Sequence, residues 1–309
     1  MSISIVIPAY NEQRNLQPLL SEILAAMRRA KVKDYEIIFV DDGSQDGTLD
    51  ELKRLTKKYP QVTYLSFSRN FGHQAALRAG IANAQGEAVI SMDADLQHPP
   101  RLLPEIISRW RDGYDIVYTR RQSGRETNIF KRWSSQLFYF LLNRLSGLDI
   151  DQGAADFRLI DARVATVIKD MVEPNLFLRG FISWCGFKVS AIDYQPDSRF
   201  AGESKYSFRK MMSLALHGVT QFSVQPLRLA SILGVLFALA GLVYGIYAVY
   251  AYFVLHDAIS GWTSMVVSVL IMGGIQLIIL GIIGEYLGKT FIQTKQRPDY
   301  IIRERGAKE

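Results

Sequence analysis

The chain has 309 residues, a formal net charge of +6, 49% hydrophobic residues and one cysteine. That composition is ordinary for a globular chain and excludes disordered, collagen-like and disulfide-scaffold classes. Cys185 alone cannot form an internal disulfide and fits a reducing compartment, and the length admits one large domain or two modest ones.

The first part of the chain alternates strand and helix patterns. Residues 2–8 (SISIVIP) are a short apolar strand; no basic stretch and apolar run precede it, so the N-terminus reads as a strand and not as a signal peptide. Residues 15–30 carry Leu16, Leu19, Leu20, Ile23, Leu24 and Met27 at helical spacing. Residues 35–40 are a second strand, closed by an Asp-Asp-Gly-Ser turn. A helix over 48–58, a strand over 62–66, a helix over 74–84 and a strand over 88–92 follow. A helix over 104–112 and a strand over 115–119 complete the series. This alternation predicts an α/β domain with a mainly parallel sheet and helices on both faces. In such sheets ligands bind beyond the C-terminal ends of the strands.

Polar clusters follow three of these strands: Pro8, Ala9, Tyr10, Asn11 and Glu12; then Asp41, Asp42, Gly43 and Ser44; then Asp93, Asp95 and Gln97. Alternate residues of an extended segment point the same way, which predicts Asp93, Asp95 and Gln97 on one face. Acids gathered at one sheet edge repel unless a partner neutralises them. A hard divalent cation, Mg2+ or Mn2+, bound by oxygen ligands and substrate phosphates, is the partner this pattern implies. No G-x-G-x-x-G follows the first strand and no G-x-x-x-x-G-K-[ST] is present, which disfavours a nicotinamide enzyme and a P-loop ATPase. The four histidines show no zinc spacing; His73 and His98 lie beside the acidic clusters and are expected to face the pocket.

The later part is basic. Arg120, Arg121, Arg125, Lys131, Arg132 and Arg144 share a stretch with one acid, and Arg199, Lys205, Arg209 and Lys210 share another. Residues 130–145, and more weakly 206–222, have the apolar face and basic ends of amphipathic helices that lie in a bilayer interface. Membrane contact then accounts for the basic excess without nucleic acid. Residues 229–255 and 258–284 carry no charge. Each run is about 27 residues, roughly 40 Å as a helix, and a bilayer core needs about 20 residues. The few residues around His256 and Asp257 make the pair a hairpin. Basic flanks at Arg228, Lys289, Lys295, Arg297, Arg303, Arg305 and Lys308 predict that both termini are cytoplasmic. Gly241/Gly245 and Gly284/Gly288 permit close helix packing and a homo-oligomer. The expected domains are 1–198, a cytoplasmic catalytic domain; 199–227, an acceptor loop and juxtamembrane amphipathic helix; 228–288, two membrane spans; and 289–309, a cytoplasmic basic tail.

The segments PAYNE (8–12), VDDGSQDGT (40–48), RNFGHQAAL (69–77) and MDADLQHPP (92–100) resemble the signature of glycosyltransferase family 2. With DQGAADFRLID (151–161), RFAGESKYSFRKM (199–211) and the two spans, the chain resembles the polyprenyl-phosphate glycosyltransferases. These are the dolichol-phosphate mannose synthase relatives and the bacterial undecaprenyl-phosphate glucosyltransferases. The resemblance implies a Rossmann-like, GT-A type nucleotide-sugar fold. It implies that Pro8, Ala9, Tyr10, Glu12, Asp41, Asp42 and Asp93 bind the nucleotide sugar. Asp93, Asp95 and Gln97 would hold the metal. Arg199, Ser204 and Lys205 would handle the lipid phosphate, with Arg125 and Lys131 as further candidates. Asp156 would orient or deprotonate the acceptor, and Asp95 would act with it in catalysis. The implied reaction is an inverting, metal-dependent transfer of a hexose to polyprenyl phosphate at the cytoplasmic membrane face, with UDP-glucose the favoured donor. GDP-mannose, an aminoarabinose donor, a processive polysaccharide synthase and a degenerate membrane partner protein are the competing readings. The synthase is disfavoured because no Q-x-x-R-W motif is found.

Overall fold

The computed structural model describes residues 2–121, 151, 153–171, 178–195, 223–254 and 261–306. These divide into two compact units. The first holds the described residues up to 195 together with 297–306, and the second holds 223–254 and 261–296.

The first unit begins with β1 (Ser2–Ala9), α1 (Gln13–Arg29), β2 (Asp34–Asp41), α2 (Thr48–Lys58), β3 (Val62–Phe67), α3 (His73–Asn83) and β4 (Ala88–Ser91). It continues through a 3-10 turn to α4 (Leu103–Arg111) and β5 (Ile116–Arg121). These are the predicted elements, shifted by one or two residues at their ends. Beyond them lie β6 (Ala154–Asp161), α5 (Ala162–Asp170), α6 (Leu178–Trp184), β7 (Val189–Tyr194) and β8 (Ile302–Gly306). The eight strands form one sheet in the order β7-β5-β6-β4-β1-β2-β3-β8. β6 and β8 run antiparallel to their neighbours, and all other pairings are parallel.

Both faces of the sheet are covered, which is why β1 and β2 are apolar without interruption. Ile3, Ile5, Ile7, Ile37 and Phe39 pack with Leu16, Leu19 and Leu20 of α1, Leu52 of α2 and Ile106 of α4. Val6, Ile38 and Val40 point the other way and pack with Ala76 and Leu77 of α3 and Val164 and Ile168 of α5. Gly80 lets α3 press onto β1, since a Cβ there would lie 2.1 Å from Cγ1 of Val6.

Residues 302–306, expected within a basic tail, are the edge strand β8. The Tyr64 hydroxyl donates to Glu304 Oε1 at 2.6 Å, and burial pushes that phenol up to about 12, so it remains a donor well above neutral pH. Lys53 Nζ lies 2.9 Å from Glu304 Oε1. Truncation after residue 222 therefore removes a strand as well as the hairpin. We expect it to melt lower, by roughly 5 °C or more, than a chain in which 223–296 is replaced by a long flexible linker and 297–309 is kept. Equal melting temperatures in calorimetry would show that β8 adds no stability.

The second unit consists of α7 (Gln225–Phe253) and α8 (Trp262–Thr294). The most apolar 18-residue windows within 225–248 of α7 and 265–294 of α8 have mean hydropathy 2.3 and 2.6, and 6% and 0% of those windows are buried. Both helices are long and apolar enough to cross a membrane. α8 runs past Gly284 through Glu285 and Lys289, which approach to 3.9 Å; these charges end the apolar run but not the helix. The Tyr286 hydroxyl donates to the Ser223 carbonyl at 2.7 Å and ties the two helices at one end. A Cβ on Gly241, Gly245, Gly284 or Gly288 would meet nothing within 4 Å, so these glycines do not pack α7 against α8.

Candidate active site

Parallel pairing sets the strand ends side by side. Ala9 is opposite Asp41, and Val6 is opposite Ser91, the last residue of β4. Pro8 and Ala9 close β1, and Tyr10 is exposed beyond it. The loops after β1 and β2 are sewn together. Asn11, with φ 58°, donates its N–H to Ser44 Oγ at 3.0 Å and accepts the Gln45 N–H on Oδ1 at 2.8 Å. The Glu12 N–H donates to Thr48 Oγ1 at 2.9 Å, and its carboxylate accepts from Asn15.

Asp41 and Asp42 are both buried. Asp41 Oδ1 accepts the Ser44 N–H at 3.0 Å, and Oδ2 accepts the Ser66 hydroxyl at 2.8 Å. Asp42 accepts the N–H groups of Phe71 at 2.7 Å and Gly72 at 3.0 Å. Burial pushes the Asp42 carboxyl up, and those two N–H groups oppose the shift. Gly43 has φ 69°, and a Cβ there would sit 2.4 Å from the Arg69 carbonyl carbon, so only glycine fits the turn. These acids thus hold the loops after β2 and β3 in place.

Asp93 and Asp95 do not lie on an extended segment. The chain turns at 94–95, and Leu96 has φ 62°. The turn is fixed by two hydrogen bonds: Asp93 N–H donates to His98 Nδ1 at 3.0 Å, and Gln97 N–H donates to Asp95 Oδ1 at 3.1 Å. His98 is buried, stacks on Phe157 at 5.4 Å, and places Nε2 3.6 Å from Asp93 Oδ2. From the first residue of α3, His73 Nε2 lies 3.4 Å from Asp93 Oδ1 and 3.7 Å from Asp156 Oδ2.

Asp156 arrives through the antiparallel strand. β6 pairs Arg158 with Ser91 and so carries Asp156 back past the end of β4, where the Ser91 hydroxyl donates to the Asp156 carbonyl at 2.7 Å. Asp156 and Arg158 are both buried and form an ion pair, and Arg158 also donates to the Ala155 carbonyl at 3.0 Å. Ser66 and Arg158 are structural partners of the predicted acids. Ser66 carries no sequence signal, whereas Arg158 stands two places from an acid it neutralises.

The acids fit a hard divalent cation. Asp93 Oδ1 is buried and accepts no hydrogen bond, with His73 Nε2 at 3.4 Å as its basic neighbour, and a carboxylate oxygen with that unused capacity is one a cation can satisfy. Among the described residues no three His, Cys, Asp or Glu side chains already converge as a metal cage. Two carboxylates completed by substrate phosphates match the usual habit of Mg2+. On the acceptor side, Arg125, Lys131, Arg199, Ser204 and Lys205, with the amphipathic segments 130–145 and 206–222, lie outside the described residues. Arg120 Nε is 2.7 Å from Asp151 Oδ2 and 3.6 Å from Asp193 Oδ1, so its charge is balanced by these two acids.

Residues 4–167 match the family described as Glycosyl transferase family 2, and residues 225–290 match one described as GtrB C-terminal hairpin. The uncharacterized glycosyltransferase YkcC of Bacillus subtilis is 41% identical over 97% of this chain and 93% of its own length. A prophage bactoprenol glucosyl transferase homolog of Escherichia coli is 39% identical, covering 98% of this chain and 99% of its own. The bactoprenol glucosyl transferase of Shigella phage SfX is 38% identical over 99% and 100% of the two chains. Among solved structures, a mannosyltransferase of Pyrobaculum calidifontis, in complex with GDP-Man and Mn2+, gives a TM-score of 0.51 at 18% identity, covering 71% of this chain and 63% of its own. Mannosyl-3-phosphoglycerate synthase from Rubrobacter xylanophilus gives 0.50 at 18% identity over 72% and 73%. These two likenesses are of fold.

Proposed function

The chain belongs to glycosyltransferase family 2, and on that premise we propose that it is a membrane-anchored glucosyltransferase that moves glucose from UDP-glucose to undecaprenyl phosphate. The carrying observation is that Asp93 and Asp156 come together beyond the end of β4 in a GT-A type sheet, each within 3.7 Å of His73 Nε2. Near-full-length relatives named bactoprenol glucosyl transferase support the lipid acceptor and the sugar. In the reaction a lipid phosphate oxygen bonds to the anomeric carbon. The bond from that carbon to the diphosphate breaks, and its electron pair leaves with the nucleoside diphosphate. One such displacement inverts the centre. A phosphate monoester with a second pKa of about 6 is largely dianionic at neutral pH, so no strong base is required and Asp156 serves chiefly to orient the acceptor. Alignment then supplies much of the rate.

Asp93, Asp95 and Gln97 would hold Mg2+ or Mn2+, which supplies charge neutralisation for the departing diphosphate. The Mn2+ bound beside a nucleotide sugar in the Pyrobaculum enzyme supports a divalent ion. Pro8, Ala9, Tyr10, Glu12, Asp41 and Asp42 line the nucleotide end, and Arg199, Ser204 and Lys205 meet the lipid phosphate, with Arg125 and Lys131 as further candidates for that task. α7 and α8 span the cytoplasmic membrane as a hairpin, with the catalytic unit and both termini on the cytoplasmic side, as the basic flanks favour.

The test is a panel of nucleotide sugars with a short polyprenyl phosphate and the full-length protein. UDP-glucose is expected to be the best donor; turnover only with GDP-mannose would select the mannose reading. Lys205→Glu is expected to raise the lipid KM by about tenfold or more with the donor KM unchanged. An unchanged lipid KM would remove Lys205 from the acceptor site.

A further inference from the structure

The acids after β2 are steadied by residues 299–304, which no sequence motif includes and which follow the second long helix. Two chains of contact run inward from this segment. In the first, Tyr300 stacks on Phe67 with ring centroids 5.1 Å apart and an interplanar angle of 11°. Phe67 meets Phe71 edge-on at 5.7 Å, and the N–H groups of Phe71 and Gly72 hold Asp42. The segment is pinned alongside by the Ser68 N–H, which donates to the Ile301 carbonyl at 3.0 Å, and by an ion pair between Arg78 and Asp299.

The second chain depends on a bulge. Phe67 pairs with Ile302 and Ser66 with Glu304, so Arg303 is the extra residue of β8 and has no partner across the ladder. A bulge re-aims the side chain it frees. Arg303 Nη2 lies 3.4 Å from Ser66 Oγ, and that hydroxyl donates to Asp41 Oδ2 at 2.8 Å. A guanidinium at the head of such a chain polarises the hydroxyl toward the carboxylate.

We propose that Tyr300 and Arg303 are positioning residues of the donor pocket: the strand that follows the second membrane helix orders Asp41 and Asp42, and through them the loops that receive the nucleotide. This rests on the reading that those two acids face the donor. It makes the nucleotide half of the site depend on a segment more than 200 residues away in sequence, delivered only after the hairpin has been traversed.

The test uses full-length Tyr300→Ala, Tyr300→Phe, Arg303→Ala and, as a reference, Asp42→Asn. UDP-glucose and a short polyprenyl phosphate are each titrated. An aromatic pair is worth about 0.5–1.5 kcal/mol beyond its area. Tyr300→Ala is accordingly expected to raise the donor KM about three- to tenfold, and Arg303→Ala, through loss of its contact with Ser66, by about the same factor, while the lipid KM of each stays within about a factor of two. Tyr300→Phe keeps the stack and should match the parent chain. The proposal is overturned if both alanine variants keep the parent donor KM, if the two KM values rise together, or if Tyr300→Phe is as impaired as Tyr300→Ala. A raised donor KM in Asp42→Asn alone discards the tail's role and keeps the donor-pocket reading. A parent donor KM in all four variants discards that reading itself.

Discussion

Asp95→Ala is expected to abolish transfer while the chain stays folded. Asp95 sits in a turn beyond β4, half-buried, with the Gln97 N–H on its Oδ1 at 3.1 Å. Losing that acceptor costs about 1 kcal/mol, which a chain with this core withstands. The catalytic cost is far larger, because the carboxylate is one of two that would secure the cation against the diphosphate. Removing an electrostatic stabiliser of developing charge lowers kcat by on the order of 10²–10³, and removing a metal ligand also empties the site. The loss in kcat/KM should therefore exceed about a thousandfold, with the circular dichroism melt lowered by no more than about 2–4 °C. Chelation of the parent chain should reproduce the loss, and added Mn2+ or Mg2+ should reverse it. Near-normal turnover of Asp95→Ala at saturating metal would refute the assignment.

The largest effect on stability is expected at Arg158. Its guanidinium and the Asp156 carboxylate retain 7% and 8% side-chain exposure and neutralise each other. Replacing Arg158 by alanine removes the buried cation paired with Asp156, a change that costs about 3–5 kcal/mol. At about 2–4 °C per kcal/mol for a domain of this size, the melting temperature should fall by on the order of 10 °C. Asp156→Asn keeps the shape and loses the charge. It should melt closer to the parent chain yet lose kcat, with the donor KM little changed, if the acid orients the acceptor as proposed. The double variant Asp156→Ala/Arg158→Ala should cost less than the two single changes summed. An Arg158→Ala chain that melts like the parent would show that the pair is not coupled.

The strands and helices up to residue 121 were legible because their apolar spacing is unambiguous: both faces of β1 and β2 are covered, and each helix carries one apolar face. Of the three strands that escaped sequence reading, β6, β7 and β8, the first and last did so for definite reasons. β6 (AADFRLID) places an acid and an arginine in the middle of a buried run, a pattern that argues against a core strand until the two charges are seen to cancel. β8 (IRERG) is an edge strand with three charges, the composition by which sheet edges avoid unwanted pairing, and in sequence it is indistinguishable from a solvated tail. The end of α8 was placed short because charge marks where an apolar run stops, whereas a helix stops only where its hydrogen bonding does.

The sequence by itself determined the alternating α/β order, the acids that close three strands, the two apolar helices and, through four short motifs, the family. Each of these depends on neighbours in the chain: side-chain period, local turn chemistry and the length of an uncharged run. Only the tertiary structure decided that Asp93 and Asp95 sit on a turn, that His73 lies between Asp93 and Asp156, and that Arg158 neutralises the latter. It also decided that residues 299–304 touch the residues that hold Asp41 and Asp42. Those facts follow from strand pairing across long separations, where β6 inserts antiparallel between β4 and β5 and β8 closes the edge beside β3. Pairing of that kind joins segments far apart in the chain, and the local pattern of one segment does not name its distant partner.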